Sequence, residues 1–213
     1  MPQPEVPDAE LLIAEGCPHC AAMLSALADL VKQGRIGRLA IINLSHPPDE
    51  GERRGVRGVP WMRIGPFELA GSYRPSELAT WVERAGSETG RTSYLREQLE
   101  QGELDRVTGL CARDSTMLKG LLVLAADLDT PFAVRIGIGA VFEDLGPKGL
   151  LDDLAAEIDQ ALGHSEHSQV RADAAHYLGL TDAAAARQAL ERLAGDEAAS
   201  VREIANESLQ QRP

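Results

Sequence analysis

The stretch "GCPHCAAM", residues 16–23, constrains what this chain can fold into more than any other. An apolar run, Leu11-Leu12-Ile13-Ala14, comes directly before it, and residues 10–14 read as a buried strand. Directly after it, Cys20, Met23, Leu24, Leu27, Leu30 and Val31 recur at helical spacing, which predicts a helix over residues 18–33 ending near Gly34. Cys17 then falls where a strand ends and a helix begins. Unpaired backbone N–H groups and the positive end of the helix dipole point at such a position, and both favour a thiolate. The pair has three readings: a redox dithiol, half of a metal site, or two cysteines buried close together. The redox reading is preferred, because Cys-X-X-Cys motifs lower the first thiol's pKa to roughly 3.5–7.5. A zinc site needs four ligands, and only Cys17, Cys20 and His19 cluster in the sequence, with Cys111 far away. In this reading Cys17 attacks and Cys20, one helical turn on, resolves the mixed disulfide. Pro18 takes the first helical turn, where its missing N–H does no harm. His19, when protonated, adds positive charge beside the thiolate. Neither a metal nor a cofactor is expected.

The remainder of the first 86 residues alternates strand and helix. Residues 39–44, "LAIINL", form a second short apolar run, and the polar "SHPPDEGERRG" predicts a loop with a short helix. Residues 59–64 and 67–70 predict a hairpin around Gly65-Pro66. Pro75 opens a helix with Leu78, Trp81, Val82 and Ala85 on one face. The order is βαβ(α)ββα, and its first strand–helix–strand connection implies a parallel pair. Pro60 cannot donate to a sheet ladder, so Val59-Pro60 at a strand start marks special geometry, such as a tight cis bond.

Strand–"CPHC"–helix, then "GVPW" about forty residues on, then "FELAG" and a closing helix, resemble the thioredoxin fold in its compact glutaredoxin-like form. The resemblance covers about residues 10–86. It implies that the Val59–Pro60 bond is cis and lies against the dithiol. It also implies that Val59 pairs its backbone with a substrate chain. Trp61 is read as packing, with groove lining as the alternative. The chain departs from the family pattern at several places. Leu11 stands where thioredoxins have a buried aspartate, Gly16 where they have tryptophan, and Gly71-Ser72 where glutaredoxins have Gly-Gly. Glu15 is then the candidate proton acceptor near Cys20.

The Gly/Ser/Thr-rich residues 86–92, "GSETGRT", read as a link between a domain at 1–88 and one at 93–213. Beyond it the pattern is helical: 93–101, 103–112, 115–128, 132–145, 147–162, 168–179, 182–194 and 199–210. An internal echo runs through this half. "VRIGIGAVF" (134–142), "VRADAAHYL" (170–178) and "VREIANESL" (201–209) begin 36 and 31 residues apart. Stacked helix pairs produce this pattern, each pair covering its neighbour's apolar face. Over about residues 115–213 it resembles HEAT-like repeats. The fold class expected is an α/β thioredoxin-like domain followed by an all-α HEAT-like domain.

The net charge is −12. It divides as −3 over residues 1–90 and −9 over 91–213. Neither nucleic acid nor an anionic membrane suits such a surface. The opening "MPQPEVPDAE" is polar and acidic, without the apolar core of a signal peptide, so a cytoplasmic location is expected. The expected function is thiol–disulfide exchange on a protein bearing a disulfide or dithiol, with a separate reductant or oxidant, the helical domain selecting or positioning the partner. The alternative is a non-enzymatic helical adaptor whose dithiol is a redox switch. Arg53, Arg54, Arg57 and Arg63 read as a solvated face or, in the minority reading, a dock for acidic groups. Cys111 reads as a buried helix cysteine. His164, His167 and His176 show no ligand spacing.

Overall fold

The computed structural model describes residues 6–45, 51 and 56–211, which fall into two compact units, Met1–Arg91 and Thr92–Pro213. The first is built on a mixed sheet in the order β2-β1-β3-β4: β1 Ala9–Ile13, β2 Leu39–Asn43, β3 Trp61–Ile64 and β4 Phe67–Ala70. β1 pairs parallel with β2 and antiparallel with β3, and β3 pairs antiparallel with β4. Two helices, α1 Cys20–Lys32 and α2 Pro75–Ala85, pack on each other and on the sheet. The register explains which face they cover. Leu11, Met62 and Leu69 lie in one cross-strand row, Ala9, Ile64 and Phe67 in the next, and all six are buried. Phe67 meets Trp81 of α2 edge-on at 5.4 Å. The opposite face carries Glu10 paired with Arg63, so alternation along each strand separates core from solvent. The expected loop at "SHPPDEGERRG" lies mostly outside the described residues.

From residue 88 the chain is helical, α3 running across the boundary into the second unit: α3 Glu88–Glu100, α4 Leu104–Arg113, α5 Thr116–Ala126, α6 Phe132–Leu145, α7 Ala155–Ile158, α8 Ser168–Gly179, α9 Ala184–Leu193 and α10 Ala199–Gln210. At the level of class, a small sheet unit followed by a helical one is what the sequence led us to expect. None of the described helices is long and apolar enough to cross a membrane.

Two expectations are corrected. The helix expected from residue 93 begins at Glu88, inside the stretch read as a link, because the Ser87 hydroxyl accepts the Gly90 N–H at 3.0 Å and caps it. Residues 147–162 are not one helix. They comprise 3₁₀ turns at Gly146–Lys148 and Asp152–Leu154, the short α7, and a π turn at Asp159–Gly163. Gly149, at φ 72°, reverses the chain after the first 3₁₀ turn. Arg192 donates to the Gly163 carbonyl and to Asp159, holding the π turn from outside. Leu151, Leu154, Ile158 and Leu162 are still buried, so helical spacing survives a backbone that is not continuously helical.

The internal echo has a physical basis. Val134, Val170 and Val201 are each the third residue of their helix and wholly buried. The arginine after each reaches back to carbonyls of the preceding turn: Arg135 to Asp127, Arg171 to Ser165 and Glu166, Arg202 to Asp196 and Glu197. Arg135 also pairs with Asp173 of α8 at 2.8 Å. Arg171 holds both carboxylate oxygens of Asp196, at 2.7 and 2.8 Å, with its side chain only one-tenth exposed. Each unit is thereby tied both to its own turn and, in two cases, to the next.

The Arg171 hydrogen bonds hold the Asp196 carboxyl below its ordinary value of 3.8. The unfolded chain therefore binds the proton more readily, and the pair's contribution is present above that value and lost as the pH falls through the lower folded one. Arg171→Ala is expected to cost about 2–3 kcal/mol at pH 7. Asp196→Asn is expected to flatten the acid limb of the stability curve below pH ~4. Urea melts from pH 2.5 to 7 measure both; an unchanged acid limb would remove the pair from the account.

Candidate functional site

β1 lies between β2 and β3, and both Leu11 and Leu12 are fully buried. Such two-sided burial anchors the strand, and the segment leaving its end carries the dithiol. Cys17 N–H donates to Ala14 O at 3.3 Å, and Gly16 at φ 76° permits the reversal between them. Glu15 N–H donates to Ser45 Oγ at 2.9 Å, while Ser45 N–H donates to Asn43 Oδ1. The turn after β2 thus holds the turn after β1. Sequence reasoning missed Ser45, since its partner is 30 residues away; only the Asn43-Leu44-Ser45 turn chemistry hinted at it.

Cys17 and Cys20 are joined in a disulfide, with Cα atoms 5.5 Å apart. Cys17 is half-buried and Cys20 is buried, so the first sulfur is the more accessible. The helix expected from residue 18 begins at Cys20 instead, with Pro18 and His19 in an exposed turn. His19 occupies the N-cap without a side-chain hydrogen bond, and the first turn contains no acidic residue. With no capping oxygen and no local carboxylate, the positive end of α1 remains available to a thiolate beside it. Glu15, the candidate proton acceptor, is exposed.

The Val59–Pro60 bond is cis. Val59 is half-buried, Pro60 is buried, and the Pro60 carbonyl accepts the Gly71 N–H at 2.9 Å. The strand expected from residue 59 begins at Trp61, which lies opposite Leu12 in β1 and Ala70 in β4. Since β1 and β3 run antiparallel, the end of β1 and the start of β3 lie at one end of the sheet. Residues 14–20, 58–60 and 71–73 therefore emerge together. Tyr73 N–H approaches Met23 Sδ at 3.4 Å, which ties the third of these segments to α1.

Other candidates lie elsewhere. Arg63 is mid-strand and pairs with Glu10 at 3.5 Å, away from this end. Arg57 is exposed, while Arg53 and Arg54 lie outside the described residues. His176 Nε2 is 3.0 Å from Glu143, and His164 is 3.6 Å from Asp159. Among the described residues no three His, Cys, Asp or Glu side chains converge as a metal set. Cys111 is buried and free, and burial pushes its thiol up to about 12.

Compared with known proteins, the sequence matches no family model and no curated protein. The close disulfide pair itself fits a redox-active Cys-X-X-Cys site, and the sheet unit around it is compatible with a thioredoxin-like domain.

After reduction, iodoacetamide at pH 8 is expected to label Cys17 first and Cys20 more slowly, leaving Cys111 unmodified while the chain is folded, because only a thiolate reacts. Peptide mass mapping reads the order. Early labelling of Cys111 would contradict the burial described here.

Proposed function

We propose that the first unit is a thioredoxin-like protein-disulfide oxidoreductase, and that the following helices form a HEAT-like array that selects or positions its protein partner. The observation that carries the reading is the disulfide itself: a more exposed Cys17 and a buried Cys20, at the uncapped start of α1 and the end of the central strand.

In the reducing direction the Cys17 thiolate attacks one sulfur of the client disulfide. The client S–S bond breaks, a Cys17–client bond forms, and the released client sulfur takes a proton. Cys20 then loses its proton, and its thiolate attacks Cys17 Sγ. The second client thiol departs and the Cys17–Cys20 bond closes, so two electrons have passed to the client. An external dithiol reductant restores the pair; with a client dithiol the same steps run backwards, the client disulfide closing as the Cys17–Cys20 disulfide is reduced, and an external oxidant restores it. The uncapped helix start favours the Cys17 thiolate both as attacking group and as the sulfur released from the mixed disulfide. His19 and Pro18 form the exposed turn between the two sulfurs. Val59, Pro60 and Trp61 present the client backbone at this end of the sheet, with Val59 supplying the main-chain pairing.

Turnover of insulin disulfides with dithiothreitol as reductant is the direct test. Wild-type protein is expected to accelerate insulin reduction, and Cys17→Ser to fall to background. Cys20→Ser is expected to retain the first attack and accumulate a mixed disulfide, visible as a reductant-sensitive band. Absence of turnover together with redox-dependent partner binding would replace the enzyme reading with that of a redox-switched adaptor.

A further inference from the structure

The helical unit exposes apolar surface unevenly. Among the described residues, Val123, Leu128, Phe132 and Ile136 are four of the seven large hydrophobic side chains left exposed, and all belong to the α5–α6 hairpin. Phe132 is 74% exposed and Ile136 is 57% exposed. They stand four residues apart on α6, hence on one face. That face continues through Gly139 and Ala140 to Glu143, and α8 forms the opposite wall of a groove of about 350 Å³. Small residues at the middle leave room for a backbone to approach. The ends differ in chemistry. One carries the phenyl and sec-butyl side chains. At the other Glu143 is 58% exposed beside His176, while the lone arginine in the lining, Arg135, is already engaged by Asp173 and by the Asp127 carbonyl. Residues 91–213 carry a net charge of −9, so the surrounding field also favours a cation.

We infer that the α6–α8 groove binds an extended segment of a partner protein, with an apolar side chain against Phe132 and Ile136 and a lysine or arginine at Glu143. Eleven residues of helix separate Phe132 from Glu143, about 16 Å at the usual rise. An extended chain covers that distance in about five residues. Side chains alternate in direction along an extended chain, so two anchors that face the same groove stand an even number of residues apart, four or six. The inference rests on the proposed function only in assigning this segment to the redox client; the groove's own chemistry stands apart from the dithiol.

The test uses the full chain and fluorescein-labelled ten-residue peptides carrying one leucine and, four or six positions on, one lysine in a Gly/Ser background, with Lys→Glu and Leu→Ser versions as controls. Polarisation titrations are expected to rank the Leu/Lys peptide at least tenfold tighter than either control. Phe132→Ser and Glu143→Lys are each expected to lose at least tenfold for that peptide, and Glu143→Lys to gain for the Lys→Glu version. Equal binding of all peptides, or unchanged affinity in both variants, overturns the inference. So does a concentration-dependent dimer abolished by Phe132→Ser without peptide selectivity, which would make the face a contact between copies of this chain. Insulin reduction and peptide binding are read on the same samples. Cys17→Ser is expected to lose turnover and keep peptide affinity. Selective binding without turnover in wild type would sink the oxidoreductase reading alone, and turnover without selective binding would sink the groove alone.

Discussion

Burial of β1 on both faces is the constraint from which the rest of the sheet unit follows. Leu11 and Leu12 point to opposite faces and are both fully buried, so at these residues the strand is covered on both sides and sits inside the sheet, between two partners. It takes β2 in parallel and β3 in antiparallel. The parallel partner demands a crossover, and α1 supplies it. The antiparallel partner brings the start of β3 to the end of β1. The cysteines, the Val59–Pro60 segment and the turn at Gly71 are thereby gathered at one end of the sheet, although they are far apart along the chain. Fully burying a leucine is worth roughly 1.5–3 kcal/mol, comparable to or larger than the contribution of any single hydrogen bond in the turn above it. The core therefore dictates where the turn sits, and the turn adapts.

What the turn adds is electrostatic. Many helices begin with a serine, threonine, aspartate or asparagine that satisfies the first N–H groups. α1 begins with His19 at the cap and no acid in its first turn. Satisfying those donors would stabilise the helix but would also spend the positive potential that a sulfur anion beside it can use. α3 has the opposite arrangement, with Ser87 capping it and Glu88 in the first turn. Five helices of the second half, α5, α6, α8, α9 and α10, also start without a side-chain cap or an acid in the first turn, so what distinguishes the start of α1 is the Cys17–Cys20 pair placed there.

The helical unit solves a different problem. Its repeated Val-Arg pairs place a buried anchor and a long cation at the same height of three helices. The valine fills the core, and the guanidinium donates to carbonyls of the entering turn. Arg171 and Arg135 extend further, to Asp196 and Asp173. Polar satisfaction and inter-helix registration are thus performed by the same side chain, which is why the pair recurs at intervals of 36 and 31 residues while its surroundings vary.

Local interactions were legible in the sequence. The period of apolar residues marked β1, α1 and α2 to within a few residues, the Cys-X-X-Cys spacing marked the pair, and the Val-Arg echo marked three helices. Errors arose where local and long-range terms compete. Residues 86–92 read as a link between helix and helix, yet the Ser87 cap starts α3 at Glu88, inside them. Leu151, Leu154, Ile158 and Leu162 kept helical spacing while Pro147, Gly149 and the reach of Arg192 broke the backbone into short turns. The tie from Ser45 to Glu15, the pairing of Arg171 with Asp196, and the exposure of Phe132 and Ile136 had no sequence signature. A chain's periodicity states which side chains prefer to leave water. Which of them succeed depends on how much covering surface the other elements provide, and that is set only when the elements pack.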